Sequence, residues 1–336
     1  MNPLAQSLAT SPDLFPAALD VRAGVVTLWR LSLGDYQRSA FLDGRIAPGK
    51  QGRQLLFAEL ATAVEATELV ENCNFIFHIG HVGSTLLSRL LGKHPAVFSL
   101  REPDILRTLS FIPDKPRRDL YLSPLLKLFS RTYNPETRAL LKATSFVSEI
   151  ASDLLARPFG PRALAMGVAP EVYLATIFGG ENAPTEARML APSRAARLKS
   201  RLSLDLDLDG RTAGELVALG WACESLCIAE AANHAGARLL ALDFETFLAD
   251  PKETLARALG HLDIRPSESE IAAILGGSDM HAYSKAPEYR YDAETRRTIL
   301  AESRARHASE IRQGLAWLER VAAEQPALAS ACSLFI

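Results

Sequence analysis

The residues best placed to do chemistry are a serine and a threonine that follow a glycine-bearing turn. The segment NFIFHIGHVGSTLLSRLLG at residues 74–92 begins with an apolar run and turns at Gly80 and Gly83. It then continues through Ser84 and Thr85 into an amphipathic helix. A buried strand, a glycine turn and a helix in that order gather backbone N–H groups at one point, where the helix N-terminus also favours negative charge. The segment therefore predicts a phosphate-binding site.

Two other interpretations of this turn stay open on the segment alone. A Walker A motif requires a lysine directly before the Ser or Thr, and this chain has Gly83 at that position. A site that hydrolyses ATP would therefore lack its main phosphate-binding cation. An ordinary strand, turn and helix, with Ser84 as the helix N-cap, would explain the same residue types without any ligand.

Charge, hydropathy and cysteine content limit the functions open to this chain. The 336 residues carry a net charge of −2, which gives no reason to expect a nucleic acid or a membrane surface as partner. No apolar run reaches the length of a membrane span, and residues 1–16 lack the pattern of a signal peptide. Cys223 and Cys227 lie one helical turn apart with no third ligand nearby, so we expect no metal site. We expect a cytoplasmic protein, and the abundance of Ala and Arg indicates a bacterial source.

Short apolar runs separated by helical segments predict a single α/β domain, with a parallel sheet flanked by helices. Strands are expected at residues 75–79, 96–100, 138–143, 162–166 and 238–242. A further strand is expected at residues 25–31, a helix at 51–68, a loop region with one short helix at 264–291, and one long helix at 292–323. Residues 1–70 are interpreted as a lead-in packed on a core domain at residues 71–336.

Two charged residues end predicted strands at the same edge of the sheet. Glu102 follows the second of these strands, and Lys142 lies at the end of the third. The C-terminal ends of parallel strands are where open α/β sheets collect ligands. A lysine that closes an apolar strand is costly unless it is paired or faces a cleft, and a carboxylate there is suited to take a proton. Glu102 has an alternative role as a helix-start residue before Pro103.

The turn resembles the cofactor loop of sulfotransferases that use 3′-phosphoadenosine 5′-phosphosulfate (PAPS). Many bacterial members read R-S-G-S-T-L-L where this chain reads HVGSTLL at residues 81–87. The segment FETFLADP at residues 244–251 resembles the family's Y-E-D-L-L-x-D-P, and Glu102 with Pro103 resembles its acidic residue followed by proline. The resemblance covers about residues 75–262. It implies a P-loop NTPase-like sulfotransferase architecture with helical insertions.

The resemblance also implies a reaction, the transfer of a sulfuryl group from PAPS to a hydroxyl or amine of a small-molecule acceptor, with no metal. Glu102 would be the general base, while Lys142 and His81 would stabilise the charge that develops during transfer. The cofactor-binding residues implied are Gly80, His81, Val82, Gly83, Ser84, Thr85, Leu86, Thr176 and Lys285. Acceptor choice is expected to depend on the insertion at residues 104–133, on the lead-in and on the C-terminal segments.

Two positions depart from the family pattern. His81 stands where the family carries a permanent cation, and a histidine is charged only when protonated. Val168 falls where the family has the arginine that binds the 3′-phosphate, although Pro170 and Thr176 match. These departures keep two alternatives open: a catalytically degenerate sulfotransferase-fold binding module, and an ATP-dependent phosphotransferase. His78, on the strand before the turn, is interpreted as a locally hydrogen-bonded histidine rather than a metal ligand.

Overall fold

The computed structural model describes residues 3–180, 182–202, 204–284 and 286–335. Its strands are, in chain order, β1 (Leu14–Asp20), β2 (Val25–Arg30), β3 (Gly52–Leu56), β4 (Cys73–His78), β5 (Val97–Arg101), β6 (Arg138–Lys142), β7 (Ala163–Gly167), β8 (Leu239–Asp243), β9 (Ala282–Tyr283) and β10 (Ala286–Arg290). Five of them form a parallel sheet in the order β5-β6-β4-β7-β8, with β4 at its centre. The prediction of a parallel sheet flanked by helices is confirmed.

Sixteen α-helices are found in the part of the chain that the structure describes. They are α1 (Pro3–Thr10), α2 (Leu33–Arg38), α3 (Phe57–Glu65), α4 (Ser84–Leu91), α5 (Asp104–Ser110), α6 (Lys115–Phe129), α7 (Ala151–Leu155), α8 (Pro170–Phe178), α9 (Ala183–Leu202), α10 (Ala213–Ala235), α11 (Phe244–Ala249), α12 (Pro251–His261), α13 (Glu268–Leu275), α14 (Ala293–Arg306), α15 (Ala308–Glu324) and α16 (Pro326–Cys332). Among the described residues, none of these helices is both long and apolar enough to cross a membrane.

Three strands of the parallel sheet are buried along their whole length under helices. Every residue of β4, β5 and β7 is buried, which is typical of parallel strands enclosed on both faces. Helix α4 packs on β4, β5 and β6, while the almost entirely buried α10 packs on β4 and β8. The helix that follows each strand therefore both covers the sheet and brings the next parallel strand into register.

Strand register brings the predicted site residues to one edge of the sheet. Lys142 pairs in register with Arg101 of β5 on one side and with Ile76 of β4 on the other. Glu102, directly after β5, and the turn after β4 therefore emerge beside the end of β6. This edge is the C-terminal edge of the parallel sheet, where ligands are expected.

Residues 3–70 contain a three-stranded antiparallel sheet, in the order β1-β2-β3, together with α1, α2 and α3. The helix predicted over residues 51–68 is wrong in its first part, because residues 52–56 pair with β2 as strand β3. Pairing with a partner strand outweighs local helical periodicity here. This segment packs on the core through contacts of β1 with α5 and α6 and of α2 with β5. The division of the chain at residue 70 stays a prediction.

The C-terminal part differs from the prediction in two places. The single helix predicted over residues 292–323 is two helices, α14 and α15, that meet at His307. After this break, α15 packs on α10, and Gly314 lies against Gly214. The contact is close, since a Cβ added at Gly314 would lie 2.5 Å from the Gly214 carbonyl oxygen. The predicted loop region at residues 264–291 also contains the two-stranded antiparallel pair β9 and β10.

Candidate functional site

Two cavities meet at the C-terminal edge of the sheet. The first, here called the loop cavity, has a volume of about 460 Å³ and is lined by residues 81–86 and by residues of β9, α11 and α14. The second, here called the lead-in cavity, has a volume of about 650 Å³ and is lined by lead-in residues and by residues of α8, α9 and α10. Four of the described residues line both cavities: His78, His81, Glu102 and Tyr283. Glu102 therefore lies at the junction of the two cavities.

The turn after β4 is built from left-handed backbone. Gly80, His81 and Gly83 have φ values of 93°, 56° and 68°. Glycine adopts this region without cost, whereas a histidine there is a strained conformation of the kind that clusters at functional sites. Gly83 is the N-cap of α4 and Ser84 is its first residue, so the interpretation of Ser84 as the N-cap is wrong.

Gly83 is needed for space as well as for backbone geometry. A Cβ at this position would overlap the ring of Phe244, the first residue of α11. The ring lines the loop cavity and lies against the turn. The segment at residues 244–251 thus closes the wall of the loop cavity, and Asp250 begins α12 by accepting a hydrogen bond from the Glu253 N–H at 3.0 Å.

The start of α4 offers N–H donors that have no acceptor within their own helix. The first four N–H groups of a helix have no intrahelical acceptor. Ser84 and Thr85 are both buried and line the loop cavity. Thr85 is 2% exposed, and its Oγ1 has no hydrogen-bond partner among the described residues. A buried hydroxyl without a partner costs on the order of 1–3 kcal/mol, which a bound anion would recover. The turn therefore fits a phosphate or phosphosulfate group.

His78 holds the turn against the neighbouring strand. Its Nδ1 accepts a hydrogen bond from the Gly80 N–H at 3.0 Å, and its Nε2–H donates to the Ala143 carbonyl at 2.9 Å. The prediction of a locally hydrogen-bonded histidine is confirmed. Gly80 lines the lead-in cavity and is not among the described residues that line the loop cavity. Its N–H is also already bonded to His78.

Glu102 and Lys142, predicted separately, form an ion pair in which Lys142 Nζ donates to Glu102 Oε1. The Lys142 side chain is 1% exposed and lines the loop cavity, so the lysine is both paired and directed at a cleft. Glu102 has a left-handed φ of 52°, and its N–H donates to the Lys142 carbonyl at 2.6 Å. His78 Nε2 lies 3.9 Å from the same Oε1. The Glu102 carboxylate thus points at the cavity junction, an orientation that a helix-start role alone does not explain.

The remaining site residues that the resemblance implies do not all lie in the loop cavity. Val82, Leu86 and Thr176 line the loop cavity, and the Thr176 hydroxyl donates to the Val172 carbonyl at 2.7 Å within α8. The exposed His81 lies between the two cavities. Lys285 lies outside the described residues. Val168 is buried, and its carbonyl accepts a hydrogen bond from Trp221 Nε1 at 3.0 Å. Because its side chain is apolar, this position supplies no cation.

Arg296 is a buried cation of the loop cavity that the sequence did not reveal. It is 3% exposed, lies on α14, and places its guanidinium carbon 4.9 Å from the centroid of the Phe244 ring. Its Nε donates to Glu245 Oε1 at 3.1 Å. The one signal in the sequence is an arginine near the start of a helix, where a positive charge opposes the helix dipole.

Two carboxylates that line the loop cavity are already engaged. Asp279 forms an ion pair with Lys93. Asp292 is the N-cap of α14 and accepts from the Thr295 N–H at 2.9 Å. The charges of these two groups are therefore partly compensated within the protein, which reduces their repulsion of an anion bound at the turn.

Arg101, the last residue of β5, binds the lead-in segment next to the residues that line the lead-in cavity. This buried arginine donates from Nε to the Ser39 carbonyl at 2.7 Å and from a terminal nitrogen to the Gln37 carbonyl at 3.0 Å, and burial lowers its pKa to about 10. These bonds hold the segment with Phe41 over the end of β5. Four lead-in residues, Ala40, Phe41, Arg45 and Ile46, line this cavity, while the role of the lead-in in acceptor choice stays a prediction. The insertion at residues 104–133 contributes none of the described lining residues, and α9 takes that place.

No protein-family model matches the chain, and no curated protein matches it. The solved structures to which it is similar include the sulfotransferase domain from the curacin biosynthetic pathway, at 16% identity and a TM-score of 0.41 over 76% of this chain and 97% of that chain. Mouse sulfotransferase SULT7A1 complexed with PAP is 12% identical, with a TM-score of 0.43 over 81% of this chain and 92% of that chain. Retinol dehydratase in complex with androsterone and inactive cofactor PAP is 14% identical, with a TM-score of 0.38 over 97% of this chain and 95% of that chain. Two of these three solved structures are sulfotransferases by name.

Proposed function

We propose that this chain is a sulfotransferase that transfers a sulfuryl group from PAPS to a hydroxyl or amine of a small-molecule acceptor. The observation that carries the proposal is the junction of two cavities at Glu102, one lined by the turn at residues 81–85 and the other with room for a second molecule. A transferase requires two substrates to meet at one reactive point, and holding them there supplies much of the rate.

The start of α4 would hold the phosphosulfate end of the nucleotide. The N–H groups of Gly83, Ser84 and Thr85 lie at the helix N-terminus, and the buried Thr85 hydroxyl lacks a partner among the described residues. When bound, PAPS supplies the sulfuryl group. The turn fixes the position of that group, and the buried strand behind it keeps the turn rigid.

Glu102 would take the proton of the acceptor hydroxyl or amine. Its carboxylate lies at the junction, held by Lys142 and by a strained backbone that the register of β5 and β6 maintains. Lys142 would bring a permanent positive charge to the place where negative charge accumulates during transfer, and His81 would add to it when protonated. No metal ligand set is needed for these roles.

Arg296 would replace the arginine that is missing at Val168. It is a buried guanidinium in the wall of the loop cavity, and arginine binds phosphate in a bidentate manner. The variant Arg296→Gln is expected to lower the affinity for adenosine 3′,5′-bisphosphate about 10- to 100-fold, and the affinity for adenosine 5′-phosphate far less, measured by calorimetry.

Arg304→Gln is the matched control for that variant, because Arg304 lies on the same helix and pairs with Glu171 at 2.8 Å outside both cavities. It should leave both affinities unchanged. Equal losses for the two nucleotides in Arg296→Gln would mean that Arg296 only supports Phe244 and does not bind the 3′-phosphate.

The second candidate, a binding module without transfer activity, is favoured by His81 and Val168 standing in place of two cations. Incubation with radiolabelled PAPS and a mixture of small hydroxyl and amine compounds separates it from the enzyme. We expect labelled acceptor together with adenosine 3′,5′-bisphosphate as product. Tight binding of the bisphosphate with no transfer to any compound would favour the module. Transfer of phosphate from ATP instead would identify the third alternative, a phosphotransferase.

A further inference from the structure

A buried arginine lines the lead-in cavity, and the described residues leave part of its hydrogen-bonding capacity unused. Arg194 of α9 is 8% exposed and lines this cavity. Its Nε has no hydrogen-bond partner among the described residues. The guanidinium approaches Glu224 Oε1 only to 4.0 Å, which is too long for a hydrogen bond.

Glu224 is satisfied by other groups. Arg197 donates to both of its carboxylate oxygens, at 2.9 Å and 3.0 Å, and Ser148 donates to one of them. Arg197 also bonds Glu149. The bidentate pair between Arg197 and Glu224 is therefore complete without Arg194. A buried guanidinium left with a single distant carboxylate is costly unless another anion completes its shell.

The surroundings of Arg194 favour a ligand in the cavity. Gly220 of α10 leaves room for the guanidinium, since a Cβ there would lie 2.6 Å from Arg194 Nη1. Thr144 lines the same cavity, and its Oγ1 is a second buried atom without a partner in the described part of the chain. Burial raises the pKa of Tyr173, a further wall residue, although the positive charge of Arg194 partly opposes this shift. Tyr173 is therefore a protonated phenol that is able to donate a hydrogen bond.

Apolar side chains form a substantial part of the rest of the cavity wall. It includes Phe41, Ile46, Phe146, Leu190 and Val217. Of the other charged groups that line the cavity, Arg45 is bonded to Asp43 at 2.8 Å, and Glu186 is exposed. An acceptor would thus meet several apolar side chains, the carboxylate of Glu102 and one buried guanidinium.

We infer that the acceptor is a hydroxy- or aminocarboxylate with an apolar body, whose carboxylate is bound by Arg194 with Thr144 as a second donor. The planar guanidinium matches a carboxylate in charge and geometry. The acceptor hydroxyl or amine then lies at Glu102, at the junction with the loop cavity. This inference rests on the proposed function and adds the chemical class of the acceptor.

The test uses a series of hydroxyphenyl carboxylates with side chains of increasing length, each paired with its neutral primary amide. Affinity for the full-length protein is measured by calorimetry, with and without adenosine 3′,5′-bisphosphate. We expect at least one acid to bind about 10- to 100-fold more tightly than its amide, because a charge-assisted bond to a buried guanidinium is lost in the amide. Arg194→Gln should abolish this preference and Arg194→Lys should keep part of it. Arg304→Gln, outside both cavities, should behave as wild type.

The outcomes separate this inference from the proposed function. Equal affinity for acids and amides, no binding anywhere in the series, or an acid preference that survives in Arg194→Gln would overturn the inference. Affinity for adenosine 3′,5′-bisphosphate reports on the loop cavity alone and should be unchanged in Arg194→Gln. If the wild type failed to bind the bisphosphate while the acid preference held, the proposed function would fail and the carboxylate site would stand.

Discussion

Glu102→Gln is expected to lower turnover about 10²- to 10⁴-fold while leaving the affinity for adenosine 3′,5′-bisphosphate near that of wild type. The amide cannot accept the acceptor's proton, but its oxygen can still accept a hydrogen bond from Lys142. The buried ammonium nevertheless loses its counter-charge, so we expect the free energy of unfolding to fall by about 3 kcal/mol. Steady-state kinetics with radiolabelled PAPS, together with urea unfolding, measures both effects.

Glu71→Gln is the matched control for this variant. Glu71 is also a largely buried glutamate paired with a cation, since Arg157 donates to it at 2.8 Å, and it lines neither cavity. The control should lose stability without losing turnover. If Glu102→Gln retained turnover, or lost no more than Glu71→Gln, Glu102 would serve only as the partner of Lys142.

Gly83→Ala is expected to weaken the binding of adenosine 3′,5′-bisphosphate by about 100-fold or more. The left-handed backbone at φ 68° costs a non-glycine residue about 1–2 kcal/mol. The added Cβ would also overlap the Phe244 ring, which must move into the loop cavity or away from Arg296. Calorimetric titration of the variant with the bisphosphate measures the loss.

Gly24→Ala separates the two causes, because Gly24 has a similar φ of 64° but a Cβ added there would meet no atom within 4 Å. It should lose a comparable amount of stability through backbone strain and keep its nucleotide affinity. The same affinity in Gly83→Ala as in Gly24→Ala would show that the turn does not bind the nucleotide.

The sequence predicted the sheet and its functional edge because both follow from local patterns. Apolar runs such as that at residues 75–79 are long enough to specify buried strands, and a polar residue after a parallel strand must lie at the C-terminal edge. Glu102 and Lys142 were therefore placed at one edge. Their ion pair was not predicted, because it depends on β5 and β6 being neighbours in the sheet. Strand order is a property of the whole fold.

The site residues that the sequence could not reveal depend on contacts between segments that are far apart in the chain. Arg296 reaches the loop cavity because α14 returns to α8 more than a hundred residues later in the chain. Arg197 forms a close ion pair with Glu224, whereas Arg194 on the same helix does not. Nothing in the local sequence distinguishes these two arginines. Strand β3 was interpreted as helix because its partner β2 lies over twenty residues earlier.

Titration of the wild-type protein with adenosine 3′,5′-bisphosphate and with ATP tests the central claim most directly. Saturable binding of the bisphosphate with a Kd on the order of micromolar, and binding of ATP at least about tenfold weaker, is the predicted result. No binding of the bisphosphate at millimolar concentration, or tighter binding of ATP, would contradict the assignment of the loop cavity to PAPS.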